Sequence, residues 1–386
     1  MTQVIWSLVL SAAGLLAGLA AMWQGAGANR WWRSMSSLAS SRPGTPRVTV
    51  VIPARDERAS LPALLRSLAN QRDALGRPLD PLVLVIDDDS RDGTAVVARE
   101  LGATVIMRHE PPTGGGNPKA KALAEAESLI DGGVVVFADA DVVFSSPEAL
   151  MVLAEAALSA PQDLFSVQPL HRCQGIVESL AILPNVIALM ASGALAAGNA
   201  SFASRVAFGP VMAMDAARYR SVGGHRAVAD AIVEDAALAR LVRAAGGVSH
   251  VIPGSDWVWF RMYPHGLAQQ FEGFTKNLAL GARAATGWPV VSAVVWVLGL
   301  FATLGGALGP LTGAIPPLLA WTPLLVYIFE LVALSRIAGR YSWWIYPLVP
   351  FAALFFLAVS ATSLFRTLVL RKVRWKGRSI EIGGHP

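Results

Sequence analysis

The sequence predicts an α/β domain built on a mostly parallel sheet, with one transmembrane helix before it and two to three after it. Three observations predict this. Short apolar runs alternate with helix-periodic stretches between residues 48 and 138. Carboxylates gather at the ends of those runs. Residues 1–29, 284–329 and 341–365 carry no Asp, Glu, Lys or Arg. Over all 386 residues, 54% are apolar and only 15% charged, against about 25% charged in soluble proteins. That balance excludes a disordered chain and a nucleic-acid tail. The net charge of +5 suits an anionic membrane surface better than nucleic acid. One cysteine, Cys173, excludes an intramolecular disulfide framework and reads as a small packed residue.

The organisation follows from the charge-free stretches. Residues 1–29 hold a first span, Val4 to Trp23, since a crossing helix needs about 20 apolar residues. Arg30, Arg33, Arg42 and Arg47 follow it with no acid before Asp56, so the positive-inside rule places the soluble domain, 47–285, in the cytoplasm. Residues 286–370 form a transmembrane or re-entrant region, with apolar segments near 290–310, 316–336 and 344–366. Residues 371–386 are a basic tail. Three crossings after the domain would put that tail outside, against the rule, so one of the three segments is read as re-entrant. Residues 179–204 are uncharged but contain Pro184, Asn185 and Asn199; they are read as an interfacial helix or groove lining. Glu330 is read as snorkelling, or as paired near Arg336.

Within the domain, residues 48–54 are an apolar run ending in Pro-Ala, the pattern of a strand buried on both faces. Leu61, Leu64, Leu65 and Leu68 recur at helical spacing. Further strands are predicted at 82–87, 103–107 and 133–138, with helices over 94–101 and 118–130 between them. Alternating strands and helices imply right-handed crossovers, and ligands in such sheets sit at the carboxyl ends of the strands. Polar residues cluster there: Arg55-Asp56-Glu57, Asp87-Asp88-Asp89 and Asp139-Ala140-Asp141. No GxGxxG follows the first strand, which disfavours a dinucleotide site.

Asp139 and Asp141 can reach one ligand only if a turn begins between them. The pair then suits a hard cation that keeps water and phosphate ligands, Mn²⁺ or Mg²⁺. One of Asp87, Asp88 and Asp89 is expected to cap the next helix; the others would accept hydrogen bonds from a ligand or from the backbone. Gly114-Gly115-Gly116-Asn117-Pro118-Lys119 opens a helix whose N-terminus and lysine could cradle a diphosphate. Glu234-Asp235 starts another helix, and a carboxylate there could compensate the dipole or deprotonate a hydroxyl. Trp257, Trp259 and Tyr263 precede the C-terminal spans and suit either a membrane interface or ordinary packing. The six histidines show no zinc spacing.

Taken in order, VVIPARDE (50–57), VIDDDSRDGT (85–94), Lys119, FADAD (137–141), GPVMAM (209–214), YRSVGGH (219–225) and VEDAALA (233–239) resemble the inverting nucleotide-sugar glycosyltransferases with a GT-A fold, family 2. RMYPHG (261–266), EGFTKNLALGA (272–282) and WKGR (375–378) resemble the membrane-bound branch that includes the 4,4'-diaponeurosporenoate glycosyltransferases. The resemblance implies that Pro53, Ala54, Glu57 and Asp87 line the nucleotide pocket, with Asp88 at a uridine. It implies Lys119 near the diphosphate, Asp139 at the ribose or metal, Asp141 on the metal, Asp235 as catalytic base with Glu234 supporting it, and Gly209-Pro210 towards the acceptor. It further implies UDP-glucose as donor, a lipidic acceptor such as a carotenoid acid, and the bilayer itself as a partner. The Arg-Trp pair of the processive synthases is missing: Gln270 is followed by Phe271-Glu272-Gly273-Phe274. That favours transfer of a single sugar. A polyprenyl-phosphate sugar synthase, a processive polysaccharide synthase and a non-catalytic membrane scaffold are the competing readings.

Overall fold

The computed structural model describes residues 2–25, 27–41, 44–108, 116–196, 204–313, 316–370, 372–375 and 378–381. Two helices, α1 (Thr2–Gly25) and α2 (Ala28–Ala39), lead into an alternation of β1 (Val48–Ala54), α3 (Leu61–Ala69), β2 (Leu82–Asp88), α4 (Thr94–Glu100) and β3 (Thr104–Arg108). Then come α5 (Pro118–Glu125), β4 (Val134–Ala138), β5 (Val142–Phe144), α6 (Ala149–Ser159), β6 (Leu164–Gln168) and β7 (Leu170–Arg172). Two short helices, α7 (Gly175–Ser179) and α8 (Ile182–Ser192), precede β8 (Val211–Asp215), α9 (Ala216–Ser221), α10 (Glu234–Ala244), β9 (Ser249–Pro253) and β10 (Val258–Phe260). The remainder is α11 (Leu267–Ala284), α12 (Trp288–Gly306), α13 (Pro317–Ala338), β11 (Gly339–Arg340), α14 (Val349–Phe365) and a hairpin of β12 (Lys372–Trp375) and β13 (Arg378–Glu381).

The principal sheet has the order β3-β2-β1-β4-β8-β6-β9. Its first four strands pair in parallel, as do β6 and β9; β8 runs antiparallel between β4 and β6. The apolar run of β1 is continuous because both faces are covered. Val50 and Ile52 pack under α3 and α6, while Val51 faces Leu123 of α5 and Leu238 of α10. A second sheet, β11-β7-β10-β5, joins the end of α13 to the strand that follows Asp141.

The domain reaches further towards the N-terminus than residue 47. Trp32 of α2 is fully buried in the core, donates from Nε1 to the Pro253 carbonyl at 2.8 Å, and stacks on Trp257 at 5.1 Å. The basic stretch after the first apolar helix therefore contributes a core wall.

Among the described residues, five helical segments are long and apolar enough to cross a membrane: Ile5–Ala39, Gly175–Ser192, Trp288–Leu311, Pro317–Ala338 and Val349–Val369. The helix α1 crosses α12 where Gly14 meets Gly299, and a Cβ on Gly14 would collide with the Tyr327 hydroxyl. Small residues at such crossings let backbones approach. Ser11 accepts from Thr303 Oγ1 at 2.8 Å. Glu330 is fully buried and accepts from Trp296 Nε1 at 3.1 Å, with Gly18 making room for it. It neither snorkels nor pairs with Arg336, which corrects the sequence expectation. Gly175–Ser192 is broken near Leu180, and α8 has 11 residues, about 16 Å long. It is buried against Trp296, Tyr327 and Leu331, which a free interfacial helix would not be, while its end at Ala191 and Ser192 lines a cavity of about 210 Å³ with Val206 and Trp288. Residues 197–203 lie outside the described residues.

Candidate active site

The site forms at the carboxyl ends of β1, β2 and β4. The loops after β1 and β2 are stitched together by backbone amides. Asp56 N donates to Ser90 Oγ (3.0 Å), Arg91 N to Asp56 Oδ1 (2.8 Å), Arg58 N to Asp92 Oδ2 (2.9 Å) and Glu57 N to Thr94 Oγ1 (2.9 Å). Asp56 and Asp89 hold left-handed backbone, with φ of 53° and 61°. Non-glycine residues tolerate this only where surrounding bonds impose it.

The three consecutive aspartates take separate roles. Asp87 is fully buried; its Oδ1 accepts from Ser90 N at 2.8 Å, and its Oδ2 has no hydrogen-bond partner among the described residues. Asp88 bridges Arg108 (3.0 Å) and Arg55 (3.4 Å). None of the three caps α4. The N-cap position is Gly93, which has no side chain to offer, and Asp92 just before it accepts from Thr94 N at 3.0 Å. Pro53 and Ala54 lie in register with Ile86 and Asp87, so the β1 end and the aspartate run form one wall.

The expected turn after β4 is present. The strand ends at Ala138, and Val142 N donates back to the Asp139 carbonyl at 3.1 Å. Lys119 is the centre of the site. Its Nζ lies 2.6 Å from Asp139 Oδ1 and 3.3 Å from Glu234 Oε1, and it donates to the Gly209 carbonyl at 3.5 Å. Asp235 lies beside it: a Cβ on Gly209 would sit 3.0 Å from Asp235 Oδ2 and 3.1 Å from Lys119 Nζ. Glycine is needed there for close approach. Pro210 holds the other flank, its carbonyl accepting from Asp139 N at 2.9 Å. Gly209 and Pro210 thus build the acid cluster itself. Of the glycine-rich entry to α5, Gly114 and Gly115 lie outside the described residues.

The electrostatics follow from this crowding. Burial would depress the Lys119 ammonium, but the charges of Asp139, Glu234 and Asp235 hold it well above the usual lysine value. Burial pushes Asp141 up to about 8, helped by the charges of Asp139 and Glu57. It pushes Asp235 up to about 7, helped by Glu234. Glu234 goes the other way: Lys119 and Lys276 outweigh its burial and hold it below the ordinary range. The site therefore separates two adjacent carboxyls, one firmly ionised and one poised near neutrality.

The aromatic residues divide. Trp257 is occupied by stacking on Trp32, and the Arg172 guanidinium lies 4.1 Å over the Trp259 ring. Tyr263 is buried on Phe274; that burial raises its hydroxyl pKa, and the charge of Asp141 adds to the rise. It alone of the three reaches the acid cluster.

Three residues join the site to which the sequence reading gave no individual role. Asn117 Oδ1 accepts from Lys119 N at 3.0 Å, while its Nδ2 donates to Glu234 Oε2 at 2.6 Å. One side chain thus starts α5 and aims Glu234; an Asn before Pro at a helix start was the available signal. Lys276, on α11, lies within electrostatic reach of Glu234, Lys119, Asp235 and Asp139. His225, fully buried, receives a 3.0 Å contact from Tyr219 Oη at Nδ1 and feels the charge of Glu234.

Residues 49–181 match the family model described as Glycosyl transferase family 2. The 4,4'-diaponeurosporenoate glycosyltransferase of Staphylococcus haemolyticus (strain JCSC1435) is 29% identical over 357 residues, 91% of this chain and 93% of that protein. The enzyme of the same name from Staphylococcus aureus (strain MRSA252) is 29% identical over 339 residues, 87% of this chain and 88% of its own length. Among solved structures, the mannosyltransferase PcManGT from Pyrobaculum calidifontis, in complex with GDP-Man and Mn²⁺, superposes with a TM-score of 0.50. Its identity is 19%, and the match covers 92% of this chain and 99% of that one. The acid-lined end of a mixed, mostly parallel sheet therefore belongs to a GT-A-like fold; residues 49–181 match the glycosyl transferase family 2 model, and that match and the relatives' names support glycosyltransferase activity.

Proposed function

We propose that the chain transfers a single hexose from a nucleotide sugar, UDP-glucose, to a lipidic acceptor of the carotenoid-acid class, inverting the anomeric centre. The observation that carries this is the Lys119 ammonium shared by Asp139 and Glu234 beside a raised Asp235. The acceptor oxygen attacks the anomeric carbon, and the bond from that carbon to the diphosphate oxygen breaks. Asp235 takes the proton of a hydroxyl acceptor; for a carboxylate acceptor there is no proton to take, and Asp235 orients the attacking group. Lys119 sits where negative charge grows on the leaving diphosphate, which is stabilisation specific to the transition state. Missing the Arg-Trp pair after Gln270, the chain lacks the feature of repeated elongation, so one sugar is moved per acceptor.

The residues fit a divalent cation, Mn²⁺ or Mg²⁺. Asp141 and Asp139 are crowded carboxyls at one turn, both raised by burial. Among the described residues no group of three metal-binding side chains gathers, so two protein carboxylates would share the ion with phosphate oxygens and water. When bound, the ion supplies charge compensation to the diphosphate.

The names of the relatives support the acceptor class, and the long apolar helices support delivery from the bilayer, with the domain on the cytoplasmic side. The test is a detergent-solubilised assay with UDP-glucose across a carotenoid acid, a hydroxylated lipid, diacylglycerol and polyprenyl phosphate. Glucosyl ester formation on the acid alone is the expected result. A polyprenyl-linked sugar or a polymer would replace this reading with one of the synthases. No transfer and no binding of UDP with Mn²⁺ would leave the scaffold.

A further inference from the structure

The helix α14 is apolar enough to cross a membrane, yet both of its ends are tied to the catalytic domain. Just before it, β11 pairs Gly339 with His171 and Arg340 with Arg172 of β7. Arg340 bridges Asp256 at 2.7 Å, and Ser342 N donates to Ser179 Oγ at 2.8 Å. The first turn, at Val349, is buried with Ile345 against Ile182 and Val186 of α8. At the other end, Ser363 Oγ donates to the Thr275 carbonyl of α11 at 2.6 Å. Thr275 adjoins Lys276, whose ammonium feels Glu234 and Asp139 in the active site. Arg366 lines a cavity of about 540 Å³ with Leu267, Phe271 and Glu272 at the start of α11. Midway, Phe355 and Val359 pack with Tyr263 and Phe274.

A crossing helix separates its ends by roughly 30 Å of hydrocarbon. Both ends of α14 instead contact elements that carry or flank the proposed catalytic residues, which ties both ends to the catalytic side. We propose that α14 lies in the lipid leaflet on the catalytic side without crossing, its outward face immersed among the lipid chains. The outward face is apolar: Phe351, Leu354, Leu364, Phe365 and Leu368 are each more than half exposed. Arg366, Arg371, Lys372, Arg374, Lys376 and Arg378 follow, and such a run is drawn to an anionic leaflet. The chain then crosses three times, by α1, α12 and α13, which pack on one another. The tail returns to the catalytic side, removing the conflict between the number of apolar segments and the positive-inside rule.

The test uses single-cysteine variants of the full chain on a Cys173→Ser background, in sealed vesicles of either orientation. A membrane-impermeant maleimide should label Ser379→Cys from the same side as Arg91→Cys in the catalytic domain, and lose that labelling in vesicles of the opposite orientation. Leu311→Cys, between α12 and α13, should label only from the other side. Labelling of Ser379→Cys together with Leu311→Cys overturns the proposal. A second measurement stands apart from the tail: spin labels at Phe351→Cys and Leu364→Cys, in vesicles containing anionic lipid. Equal shallow immersion is expected; positions in opposite leaflets overturn it. Neither readout depends on the reaction proposed above, so topology and chemistry can fail separately.

Discussion

The proposed catalytic cleft and the cluster of long apolar helices both bury carboxylates, but they treat them differently. In the cleft, Asp139, Asp141, Glu234 and Asp235 crowd around Lys119, with Lys276 nearby. Acids outnumber cations, and the Lys119 and Asp139 side chains keep 17% and 31% exposure. In the helix cluster, Glu330 is sealed and, among the described residues, has one donor, Trp296. In the first arrangement burial, together with the neighbouring carboxylates, raises Asp141 and Asp235. The second is consumed in holding α1, α12 and α13 together. Excess charge open to solvent marks chemistry; a sealed, single-bonded acid marks assembly.

Substitutions can break this contrast, the largest effect coming from the cleft. Asp235→Asn should lower turnover on a hydroxyl acceptor by about 10²–10⁴, with UDP affinity unchanged in calorimetry. In the parent protein the same activity should fall as pH drops through about 7, because burial and Glu234 hold the Asp235 pKa there and the protonated form accepts no proton. A pH profile flat from 8 to 5 would remove Asp235 from the base role. Lys119→Met should lower turnover by about 10²–10³ on either acceptor type, and normal turnover would show that the ammonium only neutralises its neighbours.

Gly14→Leu acts on the other region. It forces α1 off Gly299 and Tyr327, a cost of about 1–3 kcal/mol visible as a lower melting temperature in detergent, with turnover per folded molecule retained. His225 gives a pH signature in stability. Burial holds its pKa down to about 3, against about 6.5 unfolded. Below 6.5 the unfolded chain takes up a proton that the folded chain refuses, so stability declines as pH falls, by about 1 kcal/mol per unit. Denaturant melts of His225→Gln should lack that slope between pH 6.5 and 4. The smallest effect belongs to Glu330→Gln, which keeps an acceptor for Trp296; its stability should shift by about 0.6 kcal/mol and its turnover not at all. A large loss of turnover there would dissolve the contrast.

Much of this was legible before any coordinates. Val48–Ala54, Leu82–Asp88, Thr104–Arg108 and Val134–Ala138 follow from local apolar runs, and the acids at their ends follow from the rule that parallel sheets bind at carboxyl edges. Local pattern also marked Lys119 and Glu234-Asp235. What it could not carry was convergence over long separations. Lys276 reaches the site only because α11 folds back over it, and Asn117 touches Glu234 across 117 positions. Trp32 looks like part of a membrane flank until its indole is found bonded to Pro253. Hydropathy likewise cannot separate a helix that crosses from one that lies flat, since both present apolar side chains to lipid.

The four-stranded sheet β11-β7-β10-β5 has a mechanical consequence. One edge continues α13, and the other begins one residue after Asp141. With neighbouring strands about 4.8 Å apart, the edges are held roughly 14 Å from each other. On the proposed reading, with α13 in a bilayer, the turn at Asp139–Asp141 would be held at a fixed altitude over the lipid, and an acceptor would be gauged as if by a ruler, by how far its reactive oxygen can rise while the rest stays dissolved in lipid.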